Sequence, residues 1–153
     1  MKVLGGEHAD VAATYGGMGA VFYSQGLDDK ALEYRQKCLD ILLKVLGGEH
    51  ADVATTYNNM ANVFDAQGLY DKALEYHQKC LDIRLKVLGG DHVSVAMTYN
   101  NMGTVFDAQG LYDKALQCAN KSLIIQQKTL CNSDPQLAET RQAVAFLRKK
   151  LKK

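Results

Sequence analysis

The sequence predicts an all-α fold, a solenoid of antiparallel helix pairs that ends in a C-terminal capping helix. Three observations predict it. Lys2-Val3-Leu4-Gly5-Gly6-Glu7-His8 returns as Lys44-Val45-Leu46-Gly47-Gly48-Glu49-His50 and as Lys86-Val87-Leu88-Gly89-Gly90-Asp91-His92, a constant step of 42 residues. Apolar residues inside each copy fall at helical spacing, and glycines divide each copy into two segments. With 47% apolar residues in 153, the chain can bury a core; one Pro and 13 Gly exclude collagen-like and Pro/Gly-rich disordered classes.

The chain reads as one repeat domain over 1–153. Residues 1–8 read as the remnant of a preceding repeat or the start of the array. Repeats follow at 9–46, 51–88 and 93–130, and residues 134–153 form the capping helix. In the first repeat Gly16, Gly17 and Gly19 stand where the second has Asn58, Asn59 and Ala61. Interior glycine costs roughly 0.5–1 kcal/mol relative to alanine. This helix is therefore expected to be the weakest element, and self-association through it, uncapped at the N-terminal side, is one expectation.

In the second repeat Val53, Tyr57, Met60, Ala61 and Phe64 share one helical face, with Asp52 at the positive end of the dipole. Gly68 ends this helix as a left-handed residue. A second helix from about Tyr70 is expected to bury Ala73, Cys80, Leu81, Leu85 and Leu88 before Gly89-Gly90 stops it. The last helix opens at Asp134-Pro135, with Pro at a favoured first position. Arg141 and Arg148 replace the equivalents of Tyr57 and Phe64, leaving Leu137, Val144, Leu147 and Leu151 as one apolar stripe. Such a polar-faced terminal helix suits a cap.

Tyr57-x-x-Met60-Ala61-x-x-Phe64, Gly68-x-Tyr70, Ala73 and Cys80 resemble the tetratricopeptide signature. The longer unit and its Leu-Gly-x-x-His-x-x-Val-Ala joint resemble the 42-residue repeats of kinesin light chains and nephrocystin-3-like proteins. Ala9, Ala51 and Val93 depart from that pattern, which has Pro after His. The resemblance implies a right-handed solenoid whose first helices line a concave side.

Catalytic and metal chemistry find no motif. Cys38 and Cys80 are register equivalents, with Ser122 at the same place in the third repeat; Cys118 and Cys131 lack C-x-x-C spacing. His8, His50 and His92 repeat at 42 before each first helix, which reads as capping. No Gly-rich phosphate loop, nucleophile elbow or paired-carboxylate motif occurs. No enzyme, metal or cofactor is expected. From Lys128 on, seven basic and two acidic residues make the tail net +5, so the body is 1 − 5 = −4, which argues against nucleic-acid binding. No apolar run suits a membrane span or secretory signal, so a cytoplasmic protein is expected.

What remains is surface. On the face away from the core, Thr55, Asn58, Asn59, Asn62 and Asp65 match Met97, Asn100, Asn101, Thr104 and Asp107. An Asn amide both donates and accepts, so it can bracket the peptide groups of an extended ligand. Tyr23 and Phe146 are expected to supply apolar contacts at the two ends. In kinesin light chains, which the sequence resembles, the matching Asn pair helps hold cargo peptides; this extends to Asn58, Asn59, Asn100 and Asn101. A carboxylate clamp would need Lys or Arg beside these Asn, and there is none. The function expected is a non-enzymatic interaction scaffold for an extended peptide or protein partner. The alternatives are a structural spacer that self-assembles through its end faces, and an anionic-surface contact through the basic tail.

Overall fold

The computed structural model describes residues 4–153, with side chains from His8 onward. Among the described residues there are seven helices and no strand: α1 (Leu4–Ser24), α2 (Asp28–Leu46), α3 (Ala51–Ala66), α4 (Tyr70–Leu88), α5 (Val93–Ala108), α6 (Tyr112–Thr129) and α7 (Pro135–Leu151). The chain divides into two compact units, one running to Ile83 and one beginning at Arg84.

Helix starts and stops follow local chemistry. The His50 and His92 Nδ1 atoms each accept a hydrogen bond, 3.0 Å long, from the backbone N–H of Asp52 and Ser94. Asp134 does the same for Gln136 at 2.8 Å, with Pro135 in the first helical position. These bonds satisfy amides that no helical carbonyl can reach. His8 departs from the expectation. It lies inside α1, which begins at Leu4 and runs through Gly5 and Gly6, so His8 has no helix start to cap and this first Gly pair terminates nothing. Gly68 closes α3 at φ +76°, with the Leu69 N–H donating to the Phe64 carbonyl at 2.9 Å.

In the first unit, each helix pair is locked by an aromatic triad in the same register. Tyr34 of α2 meets Tyr15 and Phe22 of α1 at ring-centroid distances of 5.9 and 5.2 Å. Tyr76 of α4 meets Tyr57 and Phe64 of α3 at 5.9 and 5.0 Å. Lys37 and Lys79 lie 4.7 Å over the central tyrosines. Ala31, Val53, Ala54, Ala61 and Ala73 are fully buried, small residues that let the helices approach closely.

In the second unit Cys118 stands where Tyr34 and Tyr76 stand earlier, so that triad is gone. Its core is instead Ala115 and Ala119 of α6 against Val144 and Leu147 of α7, with Phe106 and Leu116 packed around them. Leu137 is wholly buried. Three expected core positions are not buried: Leu85 and Leu151 are exposed and Leu88 is half-exposed. On α4, His77, Ile83 and Arg84 are buried beside the expected Ala73, Cys80 and Leu81. A four-residue leucine spacing cannot tell which side of a helix meets a neighbour when both sides carry long side chains.

Candidate functional site

The second unit carries a cleft of about 400 Å³. One wall is α5 (Met97, Asn100, Asn101, Thr104 and Asp107), and the other is α7 (Gln136, Glu139, Thr140, Ala143, Phe146 and Leu147). Its floor is Gly103 of α5 with Ala115, Ala119 and Gln126 of α6. Small floor residues are what open it. At the register position of Ala119 the earlier repeats carry Arg35 and His77, and both of those side chains are buried. Truncation to a methyl removes that filling and leaves the space between the walls empty.

The polar groups are positioned by the helices themselves. Thr140 donates to the Gln136 carbonyl at 3.0 Å and accepts from the Asn100 Nδ2 at 3.2 Å, a bond that ties the two walls together. Thr104 donates to the Asn100 carbonyl at 3.1 Å. Gln126 is 1% exposed and its Oε1 has no hydrogen-bond partner. A buried acceptor left unpaired costs about 1–3 kcal/mol, so a donor brought by a ligand would recover it. Phe146 and Met97 are exposed at the rim, 51% and 44%, and supply apolar surface. Lys150 lies 5.1 Å from the Phe146 ring centroid.

Of the residues singled out from sequence, Asn100, Asn101, Thr104, Asp107 and Phe146 come together in this cleft. Asn58, Asn59, Asn62 and Asp65 lie half-buried together on α3 in the first unit. Burial raises the Asp65 carboxyl above its usual range. Tyr23 lies on α1, with the Arg35 guanidinium 5.9 Å over its ring, and burial lowers the pKa of that guanidinium. Sequence reasoning missed Gln126, Gln136, Glu139, Thr140 and the floor of small residues. The signal that could have found them is the series Arg35, His77, Ala119, where the third repeat breaks the pattern.

Burial also pushes the Cys38 and Cys118 thiols up, away from the reactive thiolate. None of the four cysteines is in a disulfide, and Cys131 is exposed. Among the described residues no group of three or more His, Cys, Asp or Glu side chains is placed to hold a metal ion. No helix among them is long and apolar enough to cross a membrane.

A tetratricopeptide repeat family model matches residues 10–86 and again 52–128. A comparison with curated protein sequences gave no match. Among solved structures, BtubC (BKLC) of P. vanneervenii is similar at TM-score 0.83 and 26% identity, over 90% of this chain and 55% of that one. A Podosopora anserina protein assigned as a kinesin light chain, with nearly identical TPR-like repeats, is similar at TM-score 0.79 and 20% identity, over 92% and 66%. The N-terminal domain of stress-induced protein-1 (STI-1) of C. elegans is similar at 0.65 and 19%, over 89% and 96%. The chain thus spans less than two thirds of the length of the first two, and at or below 20% identity the likeness is one of fold.

Proposed function

The chain belongs to the tetratricopeptide repeat family, and from that premise we propose that it is a non-enzymatic scaffold that captures an extended segment of a protein partner. Tetratricopeptide repeats are in general protein–protein interaction modules. The observation that carries the finer reading is the α5–α7 cleft, with its apolar floor, tandem Asn100 and Asn101 on one wall, and an unpartnered amide oxygen at its base. Its volume lies within the roughly 300–1,000 Å³ usual for ligand sites.

From Met97 to Asp107, α5 rises about 15 Å at 1.5 Å per residue. That accommodates four to five extended residues at about 3.3 Å each. Ordering a flexible segment costs about 2–5 kcal/mol, so the affinity is modest. The half-buried Asn58, Asn59, Asn62 and Asp65 on α3, with Tyr23 on α1, are proposed as further peptide contacts made by the first unit. Three buried thiols and one exposed thiol, none in a disulfide, are compatible with a reducing cytoplasmic setting.

Peptide-display selection on the wild type and on Ala119→His tests the reading. The variant places the second repeat's own side chain on the floor. Enrichment of a shared motif by the wild type and its loss in Ala119→His are expected; equal enrichment by both moves the site off the cleft. A second reading, self-assembly, draws on exposed Val11, Met18 and Val21 along α1, 36–54% accessible. It requires a mass that rises with concentration and falls back to the monomer in Val21→Glu, measured by light scattering.

A further inference from the structure

We propose that the base of the α5–α7 cleft is a subsite for an arginine side chain of the bound peptide. This rests on the reading of the cleft as a peptide site and adds the chemistry of its ligand. Two register positions on the inner face of the second helices set the third repeat apart from the others. The first position holds Arg35, His77 and Ala119; the second holds Leu42, Arg84 and Gln126. The first repeat therefore buries one basic side chain, Arg35, and the second buries two, His77 and Arg84. The third repeat buries none.

Arg84 shows what such a side chain does there. Its Nη1 donates to the Thr98 Oγ1 at 2.8 Å and to the Ser94 carbonyl at 3.1 Å, both on the following helix. The acceptors are repeated one unit later, where the Thr140 Oγ1 already accepts from the Asn100 Nδ2 and keeps one further lone pair. Thr140 and Gln136 occupy the same register, and Thr140 donates to the Gln136 carbonyl at 3.0 Å as Thr98 does to that of Ser94. The guanidinium is not repeated: Gln126 takes its place, buried, with its Oε1 unpartnered. The carboxylates of Glu139 and Asp107 line the same cleft, and no Lys, Arg or His does.

A guanidinium has five N–H donors and no acceptor, which complements a site that offers acceptors and negative charge. Its aliphatic stem would lie along Ala119, Leu147 and Phe146 while the head reaches Gln126. The ligand supplies the cation that the other repeats supply for themselves.

The test is a ¹H–¹⁵N titration of the whole chain with four acetylated, amidated pentapeptide pools. The outer four positions are randomised and the centre is fixed as Arg, Lys, norleucine or Glu. The Arg pool is expected to shift the Gln126 side-chain amide together with Ala119 and Thr140, and to bind at least tenfold tighter than the norleucine pool, about the worth of one charge-assisted hydrogen bond. Gln126→Leu, which installs the residue found at Leu42, is expected to abolish the preference. Gln126→Arg is expected to close the subsite from inside, so that either variant reads the same point. Glu139→Gln should weaken the Arg pool and leave the norleucine pool unchanged. Cleft shifts of equal size from the Arg and norleucine pools would overturn the arginine subsite and leave the groove standing. Shifts confined to other surfaces, or none from any pool, would overturn both.

Discussion

Three glycines in helices test whether the helix contacts described above set stability as the geometry requires. On Gly17 an added Cβ meets nothing within 4 Å. Gly17→Ala therefore reads backbone propensity alone and is expected to stabilise by about 0.5–1 kcal/mol. On Gly103 the Cβ would meet the Ala115 carbonyl oxygen and the Cys118 Cβ, both at 3.4 Å, which is close contact without overlap. The second repeat already has buried Ala61 at that register, so Gly103→Ala is expected to keep most of the gain.

Gly19 shares the register of Gly103 and Ala61 but is expected to behave oppositely. There the Cβ would lie 2.8 Å from the Arg35 Cγ and 3.3 Å from the Ala31 carbonyl oxygen. The Cγ belongs to the anchored base of a buried side chain and the oxygen to backbone, so neither can swing clear. Overpacking of this kind costs about 1–3 kcal/mol. Set against the propensity gain, Gly19→Ala should range from neutral to about 2 kcal/mol destabilising. In an Arg35→Ala background the closest contact disappears, and Gly19→Ala should become stabilising, a coupling of about 1 kcal/mol or more. Urea unfolding by circular dichroism supplies the numbers, and amide exchange in α1 isolates the local effect in an array that opens repeat by repeat. Gly19→Ala stabilising as much as Gly17→Ala would refute the reasoning.

Two other outcomes follow from the same structure. His92→Ala removes the acceptor for the Ser94 N–H and should cost about 0.5–1 kcal/mol, with recovery in His92→Asn, whereas His8→Ala, inside α1, should cost nothing by the same unfolding assay. A thiol reagent should modify Cys131 quickly in the folded protein and the three buried cysteines only on unfolding. Because burial raises the Cys38 and Cys118 pKa values, the unfolded chain loses these protons first. Stability is then undiminished by them below the ordinary thiol range, about 8.5, and falls as pH rises through it.

The repeat period, the helix pairs and the left-handed glycines were legible because each is written three times in the sequence. Copying that exposed the fold also concealed the site. The cleft depends on what the third repeat does not share: a methyl at Ala119, an amide at Gln126, and α7 in place of another aromatic first helix. Asn100 was readable as a polar wall residue, but its bond to Thr140 was not, since that bond joins helices 40 residues apart. His8 and Leu85 went astray for a related reason. Register equivalence transfers a residue's place in the unit but not its neighbours, and those neighbours decide whether a histidine caps or a leucine is buried.

The α5–α7 cleft is proposed to hold the partner. Intermolecular nuclear Overhauser effects between a display-selected peptide and the labelled chain test it most directly. The structure predicts contacts from the peptide to the Phe146 ring, the Asn100 side-chain amide and the Ala119 methyl. Contacts confined to the outer face of α6, around exposed Ile124, with none to those three groups, would contradict it.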